Sequence, residues 1–311
     1  MDLTTALEVK RELTAMFAVR GSSRRRFALG VAIPAEGTEY RIAVRAASEE
    51  DLPPAALDAI QRRTADLDVR YVGTISPSAA HALAVGRGAA IGASVGHGLC
   101  AAGTLGFFAR RVADDAIGFV SNNHVLAAAD RGQDRDEILY PAPADQGRRT
   151  PTVIGHLAGD YPRLKAGNVM LVDCAFAHLV RGTLYDASSL GDGRKIDVTP
   201  TLPYLEPDVC KIGRTTGFTT GRITAFDLDF EIRYSSDPVR FKSQIEIDSV
   251  SSQTPFSRSG DSGSLVFSLS SSRPVALIFA GSAAGGYANC GLTYANPIGD
   301  VLDALRITFL T

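Results

Sequence analysis

The sharpest chemical signal in the chain is Ser259-Gly260-Asp261-Ser262-Gly263-Ser264-Leu265, which runs into an apolar, strand-like stretch. A serine that acts as a nucleophile needs its hydroxyl on a tight turn. It also needs backbone N–H groups converging where negative charge develops. Glycines on both sides permit such a turn, and the N–H groups of Gly260 and Ser262 would then point inward together. An ordinary Gly/Ser/Asp loop has the same composition, so the serine needs a base and a group that orients the base. The five histidines, His81, His97, His124, His156 and His178, all precede Ser262. That excludes triads in which the serine comes first. The best placed is His124, which closes the run Ile117-Gly118-Phe119-Val120-Ser121-Asn122-Asn123 and precedes the short apolar turn Val125-Leu126-Ala127. The orienting acid is Asp173, because a carboxylate inside Val169–Ala177 is costly without a partner and an imidazole N–H is one. Asp160, between Gly159 and Tyr161-Pro162, belongs to a loop-like stretch and is the weaker choice.

These three residues must be held by a scaffold, and the texture of the chain says which kind. From about residue 85 glycine is frequent and helical periodicity is absent. Gly103–Arg111, Ala116–Ser121, Val153–Leu157, Asn168–Leu179, Arg222–Phe230, Ser243–Ile247, Ser264–Leu269 and Val275–Ala280 read as short strands between turn signals, a barrel or sandwich pattern. The end turns helical: Asn296 suits a cap, Pro297 a first turn, and Ile298, Val301, Leu302 and Leu305 form an apolar stripe. Residues 1–78 read differently, as an α-β-β-α-β unit. A helix over Leu3–Phe17, a hairpin of Phe27–Ile33 and Tyr40–Val44 around Pro34-Ala35-Glu36-Gly37, a helix opened by Pro53-Pro54 and a strand over Val69–Ile75 are predicted. The expected division is thus an N-terminal α/β domain, 1–78, and a mainly β domain, 79–311.

The 311 residues are 45% hydrophobic and 21% charged with a formal net charge of −2, an ordinary globular composition without an electrostatic footprint for nucleic acid. Apolar runs fall short of a membrane span, and Met1-Asp2-Leu3-Thr4 does not open a secretion signal. Cys100, Cys174, Cys210 and Cys290 are scattered without a CxxC pair, which argues against zinc and against a disulfide framework. A cytoplasmic protein without cofactor or metal is expected.

Order, spacing and local sequence of His124, Asp173 and Ser262 resemble the trypsin-like serine proteases of the chymotrypsin fold. Ser121-Asn122-Asn123-His124-Val125 is similar to the histidine segment of their bacterial HtrA-type members. Gly103-Thr104-Leu105-Gly106, Lys211-Ile212-Gly213-Arg214-Thr215-Thr216-Gly217 and Thr219-Thr220-Gly221 are similar to a bacterial group that includes the plant narrow-leaf protease. The resemblance spans about residues 85 to 311. It implies two six-stranded β-barrels with the triad at their junction, a closing C-terminal helix, and a serine endopeptidase acting on protein or peptide substrates. By this resemblance Ser262 attacks the carbonyl, His124 carries the proton, Asp173 fixes the imidazole, and Gly260 and Ser262 form the oxyanion hole. The sequence departs from the family in two places. Val125-Leu126-Ala127 stands where secreted members carry a cysteine, as suits a reducing compartment. Phe256, with Ser257 in the substrate pocket, replaces the aspartate behind Arg/Lys preference, and implies a small or apolar side chain before the cleaved bond.

Weaker features have blander readings. Gly213–Gly217 lacks the ending of a phosphate loop and reads as a turn, and Asp130, Asp134, Asp136 and Glu137 match a calcium loop only superficially. Arg20, Arg24, Arg25 and Arg26 form a solvated basic cluster, with an acidic partner as the minority reading. The rival to an enzyme is a catalytically silent or partner-activated scaffold on the same fold. In the enzyme as in the scaffold, residues 1–78 are the candidate regulatory unit, to bind a partner protein, block the cleft or support self-assembly into a homo-oligomer.

Overall fold

The computed structural model describes all residues except 20–25, 36, 78–88, 148–149, 166, 191–193, 235–237 and 311. Arg20, Arg24 and Arg25, the turn residue Glu36, the predicted boundary residue Ser78 and His81 lie outside the described residues. The fold is mainly β with few helices. The unbroken apolar run Val275–Ala280 is buried throughout, as suits a strand covered on both faces.

The second half of the chain builds a closed cycle of antiparallel pairings. Asp208–Gly213 pairs with Gly217–Arg233, which pairs with Pro238–Ser249, then Leu292–Pro297, Pro274–Ser282, Leu265–Ser268 and back to Asp208–Gly213. That is the second sheet; the first sheet, built by the first half of the chain and closed by Ile307–Phe309, has the order Ile307–Phe309, Phe107–Arg111, Ile117–Ser121, Ala175–Leu179, Thr152–Leu157, Glu137–Tyr140, Ser94–His97, Gly103–Thr104. Gly103–Thr104 and Phe107–Arg111 are consecutive along the chain, so one bent run around Leu105-Gly106 joins the last strand of the series to the second. Between the two sheets lies a core that includes Leu105, Phe107, Phe119, Val125, Leu126, Leu265 and Leu277, all buried.

The N-terminal elements extend the second sheet. After helix Leu3–Val19, strand Phe27–Ala32 pairs antiparallel with Arg41–Ala46, as predicted for the hairpin, and Leu67–Tyr71 adds parallel to Arg41–Ala46. Strand Phe27–Ala32 also pairs with the long strand, Leu29 opposite Asp229 and Val31 opposite Phe226. Arg45 reinforces that junction: fully buried, it donates to Glu246 at 2.7 and 2.9 Å and to Asp68 at 2.7 Å. The single strand predicted over Val69–Ile75 is two pieces. A left-handed Gly73 (φ +69°) separates Leu67–Tyr71 from Ile75–Pro77, which pairs with Ala280–Ser282.

The C-terminal helix is Ile298–Leu305, buried through Ile298, Val301 and Leu305. Its N-cap is Pro297, without a side-chain cap, so Asn296 does not cap it. The Asn296 side chain is drawn away to the segment around Asp173, where a buried backbone N–H needs an acceptor.

Candidate active site

Strand Ile117–Ser121 delivers Asn122 and the short helix Asn123–Leu126, which carries His124. Asn123 pins this turn, donating to Asp130 at 2.7 Å and to the Pro162 carbonyl at 2.8 Å. Strand Ala175–Leu179 lies beside Ile117–Ser121 with Ala175 opposite Ser121. Asp173 therefore enters next to His124.

Asp173 is not inside one continuous strand over Asn168–Leu179, as the apolar pattern suggested. Val169–Met170 pairs parallel with Arg240–Phe241 in the second sheet, and Ala175–Leu179 belongs to the first. Asp173 sits on the crossing between them. Side chains replace the missing ladder there: its N–H donates to Asn296 Oδ1 at 3.0 Å and its carbonyl accepts Asn122 Nδ2 at 2.6 Å. Asn296 is steadied in turn by Gln244 Oε1 at 2.5 Å, and Gln244 Nε2 donates to the Leu171 carbonyl at 2.8 Å.

The Asp173 carboxylate is fully buried and heavily used. Its Oδ2 meets His124 Nδ1 at 2.6 Å and accepts the Tyr234 hydroxyl at 2.6 Å, while Oδ1 accepts the His124 backbone N–H at 3.3 Å. A carboxylate on Nδ1 favours the tautomer with its proton there, leaving Nε2 as the acceptor. Nε2 is buried and has no hydrogen-bond partner among the described residues. Burial, followed by the Asp173 charge, raises the Tyr234 phenol well above its ordinary value, so it stays a donor. Asp160 is not on His124; it pairs with Arg111 at 3.2 Å.

The Ser262 loop is gripped from both sides. Inside, the buried Asp261 carboxylate accepts the N–H groups of Arg258 (2.9 Å), Thr215 (2.8 Å) and Thr216 (3.2 Å) and the Thr216 hydroxyl (2.7 Å). The Lys211 ammonium lies 3.5 Å from it. Burial lowers the Lys211 ammonium from its ordinary value, with Asp261 opposing. Outside, Thr104 spans the loop: its hydroxyl donates to the Gly260 carbonyl and its N–H to the Ser262 carbonyl, both at 2.8 Å. The N–H groups of Gly260 and Ser262 donate to no other described residue.

The flanking glycines meet the expected need. Gly260 (φ +95°) would place a Cβ 2.2 Å from Arg214 Nη1, and Gly263 (φ +92°) one 2.0 Å from Ser121 Oγ. Arg214 is itself fixed by Asp145, with Nε to Oδ2 at 2.8 Å, and Asp145 accepts Ser94 Oγ at 2.5 Å. The Ser262 hydroxyl, also buried, donates to the Phe279 carbonyl at 3.5 Å, and no hydrogen bond to His124 is present.

Of the two pocket residues, Ser257 lines a cavity of about 700 Å³ together with Thr215, Ser259, Gly281, Ser282 and Cys290. Its hydroxyl is tied to Thr293 at 2.6 Å. The Phe256 ring is 1% exposed and belongs to the hydrophobic core of the second sheet, with Ile223 and Ile247. Phe256 therefore stands behind the pocket and does not line the cavity. The Gly213–Gly217 segment is a hairpin turn whose ends pair with each other. The acidic run is engaged by protein groups: Asp130 by Asn123, Asp134 by the Gly159 N–H, Asp136 by His97. Tyr234, Asn296, Gln244 and Thr104 complete the site, and their roles had no local signal in the sequence.

A family model described as the Nal1 C-terminal domain matches residues 169–297, a span that holds Asp173 and Ser262 but not His124. The protein NARROW LEAF 1 of Oryza sativa subsp. japonica is 28% identical over 205 residues, 58% of this chain and 34% of that protein. The chain thus spans about a third of the length of the curated relative it matches. Among solved structures, Thermobifida fusca Protease A is 20% identical and similar over 72% of this chain and 100% of its own, with a TM-score of 0.49. Cellulomonas bogoriensis chymotrypsin is 21% identical and similar over 71% and 97%, with a TM-score of 0.47.

Proposed function

We propose that the chain is a serine endopeptidase built on two six-stranded β-barrels of the chymotrypsin type, with His124, Asp173 and Ser262 as its triad. The observation that carries this reading is the polarised imidazole. Asp173 takes Nδ1 at 2.6 Å, and the opposite nitrogen is buried without a partner. An orphaned buried acceptor is costly, and it persists where another reacting group is to use it. The Ser262 loop is joined to the strand that leads into His124, since the Ser121 hydroxyl donates to the Thr104 carbonyl at 2.7 Å and Thr104 holds Ser262.

In the reaction the Ser262 hydroxyl turns from the Phe279 carbonyl to His124 Nε2, and its oxygen attacks the peptide carbonyl. His124 takes the proton and returns it to the leaving amine; water then repeats the sequence on the acyl-enzyme. The Gly260 and Ser262 N–H groups stabilise the oxyanion. The side chain before the cleaved bond enters the cavity faced by Ser257, Ser259 and Gly281. Cys100, Cys174, Cys210 and Cys290 form no disulfide, which accords with a cytoplasmic setting, and no described helix is long and apolar enough to cross a membrane.

The test is labelling by a fluorophosphonate and cleavage of a denatured protein substrate, with wild type beside Ser262→Ala. Labelling and cleavage that both vanish in Ser262→Ala are expected. Labelling that survives the substitution removes Ser262 as the nucleophile, and labelling absent from the wild type favours the silent or partner-activated scaffold.

A further inference from the structure

One edge of strand Pro274–Ser282 has an ordered series of neighbours. Leu292–Pro297 fills its other edge, placing Tyr294 and Thr293 opposite Ala280 and Gly281. On the near edge Val266 and Leu265 pair with Ala276 and Leu277. The Gly263 N–H then donates to the Ile278 carbonyl at 2.8 Å, and the Ser262 hydroxyl meets the Phe279 carbonyl at 3.5 Å. The next three places are taken by a distant part of the chain: Pro77 opposite Ala280, Ser76 opposite Gly281 and Ile75 opposite Ser282.

The polarity of that segment matters. It runs antiparallel to Pro274–Ser282, so from Ile75 to Pro77 the chain advances toward Phe279 and Ser262. A peptide lying there in this direction would present the residues that precede a bond brought to Ser262. Ser76 and Pro77 also wall the cavity that Ser257, Ser259 and Gly281 line.

We infer that Ile75-Ser76-Pro77 is an intramolecular ligand of the Ser262 site, occupying the sheet edge on which an extended peptide substrate must add as a strand. The inference rests on the protease reading for what the edge serves; the occupancy itself is a separate matter. An edge of unpaired N–H and C=O groups is a docking site for an extended peptide, whose backbone supplies the binding and whose alternate side chains supply the selection. Here the edge is satisfied in cis. The hold is short: three residues, one of them a proline without an N–H, delivered by the turn at Gly73 and anchored by half-buried Ile75 against the core of Val72, Phe279 and Ala280. A longer incoming strand that pairs over the same positions displaces it, so the protein selects extended peptides able to outcompete its own segment.

The experiment uses the full chain as wild type, Ile75→Asp, which places a charge against that apolar core, and Ile75→Val as the conservative control. Three readouts are compared: amide exchange at Ala280–Ser282, labelling by a small fluorophosphonate, and labelling by an acetyl-trialanyl phosphonate that needs the edge. The peptide acetyl-Gly-Thr-Ile-Ser-Pro-amide, matching residues 73–77, serves as competitor. If the edge is free in about a tenth of wild-type molecules, freeing it raises peptidyl labelling roughly tenfold. Fluorophosphonate labelling should stay within about twofold across the series, because a small reagent needs only the reacting serine.

In Ile75→Asp the exchange of Ala280–Ser282 should accelerate and be slowed again by the peptide, while Ile75→Val behaves as wild type. Unchanged peptidyl labelling in Ile75→Asp with intact fluorophosphonate labelling overturns the inference, as does failure of the peptide to compete. Should neither reagent label any variant, the protease reading falls, and re-protection of Ala280–Ser282 by the peptide alone decides the occupancy. Pro77→Gly, which removes the side chain that walls the cavity beside Ala280, repeats the measurement if Ile75→Asp does not fold.

Discussion

Gly263→Ala tests whether the nucleophile loop is clamped between the two sheets. The alanine Cβ would lie 2.0 Å from Ser121 Oγ and 2.3 Å from the Thr104 carbonyl oxygen, at a backbone φ of +92°. Both neighbours belong to the first sheet or its connections and the glycine to the second, so relief requires the halves to part or the loop to move. Overpacking of this kind costs ~1–3 kcal/mol. The left-handed backbone adds ~1–2 kcal/mol for any residue with a Cβ. The sum is ~2–5 kcal/mol. With an unfolding entropy of ~2.1 cal/mol/K per residue, a chain of this length loses about 1.5 °C in Tm per kcal/mol, so a fall of about 3–8 °C is expected. Gly217→Ala is the control, since φ there is +64° but a Cβ would meet nothing within 4 Å. It should lose only the backbone share, about 2–3 °C. Ser121→Ala removes the nearer obstacle, so the double variant Ser121→Ala/Gly263→Ala should be less destabilised than the two single losses together. Calorimetry on the four proteins, with fluorophosphonate labelling beside it, reads both stability and the site. If Gly263→Ala costs no more than Gly217→Ala, the clamp argued from Ser121 and Thr104 is wrong.

Tyr234→Phe removes a 2.6 Å donor from Asp173 Oδ2, a bond to a charged group worth ~1.5–3 kcal/mol, and should slow Ser262 labelling by roughly 10- to 100-fold. Labelling within twofold of wild type would remove Tyr234 from the site. Glu246→Gln leaves the buried Arg45 partly unpaired and should cost ~3–5 kcal/mol at neutral pH, read from urea unfolding. Burial alone would raise the Glu246 carboxyl, but the Arg45 charge outweighs it and holds the group below its ordinary 4.5. The native state therefore binds fewer protons than the unfolded chain as pH drops below 4.5, and the stability from this pair is present above that value and lost below it. The gap between wild type and Glu246→Gln should accordingly narrow on acidification; a gap constant from pH 7 to pH 3 would contradict the assignment.

What the sequence disclosed was chiefly what local chemistry dictates. The glycines beside Ser262 announced left-handed turns, the strand ending at Ser121 announced a fixed imidazole, and the cost of an isolated carboxylate led to Asp173. The companions of Asp173 were hidden because each comes from far away in the chain. Asn296 looked like a helix cap, since a cap and a long-range acceptor have the same residue type and only tertiary structure chooses between them. Tyr234 follows a long strand and carries no positional mark. Apolar composition ran Val169 to Ala177 together as one strand, although the chain changes sheets at Asp173. Phe256 was assigned to the pocket by its place before the nucleophile, but a ring of that size beside Gly221 is buried among core side chains.

The pairing of Leu29 with Asp229 has a consequence for the birth of the molecule. The strand Phe27–Ala32, all six residues of it buried in the finished fold, leaves the ribosome about 200 residues before the strand that covers its edge. At ~5–20 residues per second that interval is on the order of 10–40 s. Throughout it, the hairpin with Arg41–Ala46 is an apolar surface with one open edge, and Arg45 awaits Glu246. A segment made much later thus completes an early one, and a chain interrupted before residue 229 presents a sticky, unfinished sheet to its neighbours.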